Sequence, residues 1–444
     1  MINEKIFKAY DIRGIYPTQL NEETAFLIGK AIVEYLKCKT IVIGMDMRDS
    51  SISLKKSLIN GITFMGCNVI DIDLCTTPMN YFANGFFNAD ASVVITASHN
   101  PKEYNGFKIC KNNAIPLTGD VDLVKIKELC IKNEFVKSKE EGIVKKENII
   151  NEYCNFISNY YHNKENKKIK IVIDSANGMG AYELKALKLE NIEIISMYEE
   201  LDGNFSNHEA NPLKYETLKN LQKKVIKENA DFGIAFDGDA DRCGFIDENG
   251  EIIRNDFITA LIAKDILLEK SNQKIFYDLR SSKIVKEIIE NNNGIPLMSR
   301  VGHSFIKKQM REENAVFAGE LSGHFYFKEN YNTESSALAV IRIINILLKS
   351  NKKLSQLILE MQKFFQSGEI NKKVSDSKII IEKIKEKYND AKIFFLDGIS
   401  VEYDNWWFNI RSSNTEPLLR LNLEANTKDL MEEKTKEVLN LYEI

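Results

Sequence analysis

The sequence predicts an α/β protein: three similar α/β domains with sheets flanked by helices, then a smaller α+β domain. Three observations lead there. Short β-branched runs alternate with segments of helical period, as in open α/β sheets. The same order of runs occurs three times along the chain. Beyond about residue 366 the pattern changes to strict apolar–polar alternation, the mark of antiparallel strands with one wet face.

The first copy opens with Thr40-Ile41-Val42-Ile43-Gly44 and its polar loop Asp46-Met47-Arg48-Asp49. A second run, Cys67 to Asp71, and a third, Ala91 to Ile95, follow, and the third delivers Thr96-Ala97-Ser98-His99-Asn100-Pro101. In the second copy the runs are Ile169 to Ile173, Ile192 to Ile195 and Phe232 to Phe236. The last of these delivers Asp237-Gly238-Asp239-Ala240-Asp241-Arg242. The third copy has Lys274 to Tyr277, Ile295 to Met298 and Ala315 to Ala318, ending in Gly319-Glu320-Leu321-Ser322-Gly323-His324. Each copy thus places its polar motif after the third run. Ligands gather beyond the carboxyl ends of such strands, so three related domains should face one cleft.

Gln366 to Lys373 reads as a polar linker. After it, Ile399 to Tyr403 and Leu418 to Leu423 alternate, and an amphipathic helix is expected from about Lys428. The expected domains are 1–145, 150–250, 251–366 and 369–444, with Lys-rich stretches at 137–148 and 163–170 as softer boundaries.

Composition narrows the function. The chain has 444 residues, 44% hydrophobic and 28% charged, with a net charge of −4. That balance disfavours an extended nucleic-acid surface, so any anion site must be local. Its longest apolar run, Ala337 to Leu348, is too short to span a bilayer and reads as a buried helix. Seven cysteines without paired spacing and no signal-peptide pattern at Met1 to Lys5 point to a cytoplasmic location. The five histidines form no zinc spacing with the cysteines.

Ser98 offers a hydroxyl in a turn, followed by His99 and Pro101; the competing reading is an ordinary turn serine. His99 adjoins it in sequence and is not expected to act as its base. Asn105-Gly106-Phe107-Lys108 adds a lysine able to reach a phosphate or move a proton. Asp237, Asp239 and Asp241 crowd three carboxylates, which repel unless a proton or a cation lies among them. Their oxygens suit a hard ion such as Mg²⁺. An EF-hand count puts Glu248 at its twelfth position but Arg242 at the sixth, where glycine is needed, and excludes that alternative. A solvated acidic turn without metal remains the competing reading. Glu320 and Ser322 form a pattern for gripping adjacent sugar hydroxyls, weak by itself. Arg411-Ser412-Ser413-Asn414-Thr415-Glu416-Pro417 resembles an anion loop, although a polar turn between strands explains it about as well.

Together these motifs resemble the α-D-phosphohexomutase family, most closely its bacterial phosphomannomutase/phosphoglucomutase branch. The resemblance runs from Phe7-Lys8-Ala9-Tyr10-Asp11-Ile12-Arg13-Gly14 through Val301-Gly302-His303-Ser304 to the Arg411 loop, over essentially the whole chain. It implies four domains around a central cleft and a mutase interconverting hexose 6-phosphate and hexose 1-phosphate, with mannose or glucose as the sugar. It further implies a phosphoserine at Ser98, with Mg²⁺ held by Asp237, Asp239, Asp241 and the phosphoserine. Arg13, Lys108, Arg242 and His324 match groups handling the transferred phosphate and proton. His303, Glu320 and Ser322 match sugar-recognition positions, and Arg411, Ser413, Asn414 and Thr415 the loop for the non-reacting phosphate. Tyr10 and Arg280 match further cleft positions. Hexose 1,6-bisphosphate is the implied intermediate and activator. The implied partner is a small-molecule phosphosugar, with neither nucleic acid nor membrane, and the chain is expected as a monomer or weak homodimer.

Departures from the family pattern are Asn332-Thr333-Glu334-Ser335-Ser336-Ala337, where relatives usually carry paired aspartates, and Arg280, where many have Lys. The Tyr10-to-Gly14 opening and Asn414 favour the hexose branch over phosphoglucosamine mutases. That sister branch and a non-catalytic sugar-phosphate-binding relative are the two alternatives.

Overall fold

Each β-branched run is too short for a stable helix and too apolar for the surface, so a strand buried on both faces is its natural outcome. The computed structural model describes residues 2–164, 166–374, 377–412 and 418–442, and the runs form the parallel strands of three sheets, with Ile192–Met197 and Ile295–Ser299 at an edge. In the first, Thr40–Met45 pairs in parallel with Asn68–Leu74 and with Ala91–Ile95, and Tyr104–Lys111 returns antiparallel beside the latter. In the second, Ile169–Asp174 pairs in parallel with Ile192–Met197 and Phe232–Phe236, and Cys243–Asp247 returns antiparallel. In the third, Lys274–Asp278 takes Ile295–Ser299 and Phe317–Gly319 in parallel, and Phe325–Phe327 returns antiparallel. One topology is used three times, as the order of runs predicted.

That topology positions the site. Because the three strands formed by the runs are parallel in each sheet, their carboxyl ends lie at one end of the sheet. The loop from the third strand to its antiparallel return must turn there. These loops are the segments at 96–103, 237–242 and 320–324. They carry Ser98, the three aspartates and the Glu320–His324 motif.

Helices cover both faces of the sheets. Ser336–Ser350 is the buried helix expected from the apolar run, with Ala337 through Ile344 almost wholly out of solvent. Several helices end on an asparagine in the left-handed region, among them Asn133, Asn229, Asn314 and Asn351. Asn takes the place Gly usually holds, since its short amide tolerates positive φ. The first three domains share one continuous apolar core, from Val42 and Phe82 through Ile171 and Phe232 to Phe317 and Ile341.

The fourth domain has a core of its own, with Ile380, Ile384, Phe408 and Leu421 among its members. Its antiparallel sheet runs Phe365–Lys373, Leu418–Ala425, Trp406–Ser412, Ile399–Glu402, Lys392–Phe394, with the closing helix at Lys428–Asn440. Here one expectation is corrected. Gln366 to Lys373 is not a linker but most of the edge strand Phe365–Lys373, bulged between Gln366 and Glu369. An edge strand pairs on one side and is largely wetted, so its polar composition copies that of a linker.

Candidate active site

The seam between the first two domains brings together motifs that lie far apart in the chain. Ser98 Oγ donates to Asp237 Oδ2 at 2.8 Å across 139 residues of sequence. Ser98 has φ +51°, a left-handed conformation that costs a non-glycine residue about 1–2 kcal/mol. The backbone pays for that strain by aiming the hydroxyl at the second domain. Thr96 Oγ1 accepts the Ser98 N–H at 2.9 Å, and Gly238 is close enough that a Cβ there would stand 2.4 Å from Ser98 O. His99 Nδ1 lies 3.2 Å from Ser98 Oγ, so adjacency in sequence does not keep the ring from the hydroxyl. The Arg242 guanidinium and burial hold the His99 pKa well below its usual value, which makes it a poor base, as expected.

The three aspartates converge. Asp237, Asp239 and Asp241 are buried and can offer oxygens all within 4.8 Å of one another. Burial and the carboxylates of Asp239 and Asp241 push the Asp237 pKa up to about 8. Lys108 Nζ bonds Asp239 Oδ2 at 2.5 Å and also Asp241 Oδ2. Despite the cost of its burial, these carboxylates raise the Lys108 pKa further, so it is a fixed positive charge. Thr77, at the start of the first-domain helix Thr77–Phe86, donates to Asp239 Oδ2 at 2.6 Å. Asp239 Oδ1 and Asp241 Oδ1 have no hydrogen-bond partner among the described residues. A buried cluster of three convergent carboxylates that keeps an unpartnered oxygen, Asp239 Oδ1, fits a hard cation.

His324 joins this cluster from the third domain. Its Nδ1 lies 3.0 Å from Glu320 Oε2, and its Nε2 is 3.1 Å from Arg242 Nε and 3.4 Å from Asp241 Oδ1. Burial and the Arg242 charge oppose a proton on His324, but Asp241 and Glu320 outweigh them and raise its pKa to about 9. Glu320 is itself held: Oε2 also accepts Tyr326 OH at 2.5 Å, and Oε1 accepts the Gly302 N–H at 3.1 Å. Ser322 Oγ lies 3.0 Å from His324 Nδ1. Tyr10 packs edge-on against His303, with ring centres 5.4 Å apart, and ties the amino-terminal arm to the third domain. Gly302, with φ +130°, lets the chain turn there against the Tyr10 hydroxyl. Arg13 Nη1 donates to Asn100 Oδ1 at 2.7 Å, beside the serine loop.

Arg280 and Arg411 make their ion pairs with carboxylates other than those of the triad. Arg280 Nη2 pairs with Asp278 at 2.7 Å, and Arg411 Nη2 pairs with Glu369 at 2.6 Å. Ser413, Asn414 and Thr415 lie outside the described residues. Sequence reasoning missed Thr77 and Asp11, the partner of Arg13. Thr76-Thr77-Pro78 is a helix-start signature and could have drawn attention to that seam.

Family profiles agree with this architecture in order. Those for phosphoglucomutase/phosphomannomutase alpha/beta/alpha domains I, II and III match residues 4–137, 151–250 and 254–364, and the C-terminal domain matches 369–441. The chain belongs to the phosphoglucomutase/phosphomannomutase family. A phosphomannomutase of Methanocaldococcus jannaschii is 47% identical over 98% of this chain and 97% of its own length. A Xanthomonas campestris protein named for phosphohexose mutases is 38% identical, covering 98% of both chains. Among solved structures, a phosphoglucomutase/phosphomannomutase family protein from Burkholderia thailandensis superposes with a TM-score of 0.91 at 29% identity. It covers 99% of this chain and 98% of that one. The family is one of phosphohexomutases, so the chain is an enzyme of that kind, with a buried acidic triad able to hold a metal.

Proposed function

We propose that the protein interconverts hexose 6-phosphate and hexose 1-phosphate, with mannose or glucose as the sugar, by way of phospho-Ser98. The observation that carries this reading is the 2.8 Å bond from Ser98 Oγ to Asp237. It joins the hydroxyl of a strained serine to the acidic triad.

In the forward half-reaction the Oγ–P bond of phospho-Ser98 breaks and a P–O bond forms to the free hydroxyl of the bound monophosphate. That hydroxyl loses its proton to the enzyme, and hexose 1,6-bisphosphate results. The second half-reaction runs the same bonds in reverse from the other end of the sugar. Asp237, Asp239 and Asp241 would hold Mg²⁺, which when bound neutralises charge on the phosphoryl oxygens. Lys108 and Arg242 supply fixed positive charge on the same side. Glu320 orients His324 by taking its Nδ1–H, and the imidazolium held there adds a further positive charge. Arg13 braces the serine loop at Asn100. Tyr10, His303 and Ser322 line the sugar's place between the first and third domains. Glu320 orients His324 through Oε2, and its Oε1, which holds the Gly302 N–H, has capacity left to accept a sugar hydroxyl. Arg280 and Arg411 receive the phosphate that is not reacting.

The sequence relatives favour a hexose without an amino group. Mass spectrometry should find phosphate on Ser98 in protein treated with hexose 1,6-bisphosphate. A panel of mannose 1-phosphate, glucose 1-phosphate and glucosamine 6-phosphate should show turnover of the first two well ahead of the third. Full activity in Ser98→Ala, or a preference for the amino sugar, would reject the assignment.

A further inference from the structure

Arg48 takes no part in the reaction just described, yet its fork is wholly committed, four of its five donors going to the serine loop. It is 1% exposed. Its Nη2 donates to Ser98 O at 2.8 Å and Asn100 O at 2.7 Å, and its Nη1 to Pro101 O at 2.8 Å and Tyr104 O at 3.0 Å. Its Nε donates to Asp46 Oδ2 at 3.1 Å. A guanidinium carries five N–H donors in one rigid plane, and all of them are used. Four go to main-chain carbonyls of a single loop.

The surroundings hold the fork in place. Asp46 Oδ1 accepts the Arg48 backbone N–H at 3.1 Å and Ser51 Oγ at 2.6 Å. From the second domain, the Phe205 ring lies 5.0 Å from Arg48 Cζ. Gly203 is packed so closely that a Cβ there would sit 3.0 Å from Arg48 Cα. The guanidinium is therefore clamped between its own domain and the next.

We infer that Arg48 is a positioning residue for phosphoryl transfer: its fork fixes the loop from Ser98 to Tyr104 so that Ser98 Oγ stays aimed at the acidic triad. The inference rests on Ser98 being the phosphorylated residue. Ser98 holds a left-handed backbone only while something outside the residue enforces it, and its own carbonyl is one of the four that Arg48 grips. Without the fork, the buried Ser98 carbonyl loses its Arg48 donor, and the less buried carbonyls of Asn100, Pro101 and Tyr104 are free to turn toward water, so the loop loses its fixed shape. The sugar and its distal phosphate are bound by other elements, so the fault should appear in the transfer step and spare ground-state binding.

The test uses Arg48→Lys, Arg48→Met and Phe205→Leu in the full chain, with Ser98→Ala alongside. Lysine keeps the charge but has three donors and no fork. Phospho-Ser98 enzyme is mixed with glucose 1-phosphate and the single-turnover transfer rate is measured, together with kcat and KM in both directions. Transfer and kcat should fall by about 10- to 100-fold in both Arg48 variants, as expected for a displaced nucleophile. KM should stay within about twofold of wild type, since binding groups are untouched. Phe205→Leu should lose about two- to fivefold, the worth of one cation–π contact. A wild-type transfer rate in Arg48→Lys, or a raised KM with kcat preserved, overturns the inference. If neither Arg48 variant folds, Phe205→Leu decides it, and an unchanged rate there is equally fatal. An active Ser98→Ala instead removes the phosphoserine reading, and the inference with it.

Discussion

Glu369 holds the Arg411 guanidinium at 2.6 Å and has Arg280 Nη1 at 3.8 Å and Arg420 Nη1 at 3.5 Å. One carboxylate of the fourth domain thus sits among three arginines, one of them from the third domain. The arrangement resembles a phosphate site closed by the protein's own anion. Despite burial, Arg411 and Arg280 keep the Glu369 pKa below the usual carboxylate range, so it stays charged.

An incoming phosphate must displace Glu369 or share its arginines, and two anions at one guanidinium repel. Glu369→Gln should therefore lower KM for both hexose monophosphates by about three- to tenfold, matching one charge-assisted contact exchanged for a neutral one. kcat should stay close to wild type. Steady-state kinetics in both directions checks this, and an increased KM would show that Glu369 prepares Arg411 for the phosphate.

Removing the arginine should do the opposite. Arg411→Ala should reduce kcat/KM by about ten- to a hundredfold from both the 1-phosphate and the 6-phosphate side, from a loss of ~1.5–3 kcal/mol. The bisphosphate should escape more often, so activity should depend more on added hexose 1,6-bisphosphate. Isothermal titration should find Mg²⁺ affinity nearly unchanged, because Arg411 does not touch the aspartates. An effect in one direction only would assign Arg411 another task.

Much of this site was legible because its chemistry sits in short local motifs. Ser98, Asp237 and His324 each lie in a loop after a third strand, and periodicity locates such loops. The same repeat contained a signal that went unread. Asp46, Asp174 and Asp278 each lie at the carboxyl end of the first parallel strand of a domain and accept the N–H two residues on, at 3.1, 2.9 and 2.8 Å. Each also faces a basic side chain: Arg48, His208 or Arg280. The matching spacing of Asp46–Arg48 and Asp278–Arg280 would have singled out Arg48. Other features leave no local trace. The Ser98–Asp237 bond and the Tyr10–His303 contact depend on how whole domains pack. The strand Phe365–Lys373 was hidden because edge strands and linkers draw on the same polar residues.

Asp239 tests the metal assignment. Asp239→Asn keeps an oxygen for Thr77 and for Lys108 but removes one of three crowded negative charges. It should weaken Mg²⁺ binding, measured calorimetrically, by at least about tenfold, and lower kcat comparably. Relief of carboxylate repulsion should leave the thermal midpoint close to wild type. Chelator-treated wild type should regain activity on addition of Mg²⁺. Activity that survives exhaustive chelation would reject the triad as a catalytic cation site.

Glu183 supplies a test of stability against pH, away from the reacting groups. This fully buried carboxyl of the second domain accepts Thr76 Oγ1 from the first domain at 2.5 Å and Tyr153 OH at 2.9 Å. The Ala337 N–H from the third domain also supports it, and the Cys154 and Cys243 thiols nearby are kept neutral by burial. Burial outweighs these hydrogen bonds and pushes its pKa up from 4.5 to about 7. The folded protein therefore keeps a proton that the unfolded chain has released, and folding is favoured by acid at this site. Its stability contribution is complete below about pH 4.5 and is lost as pH rises through about 7. At ~1.4 kcal/mol per unit the full loss is about 3 kcal/mol. Glu183→Gln should keep the acceptor for Thr76 without titrating. Its thermal midpoint should match that of wild type near pH 5 and exceed it at pH 8. A variant whose advantage appears at low pH, or that shows the same pH slope as wild type, would mean that Glu183 ionises normally in the folded protein.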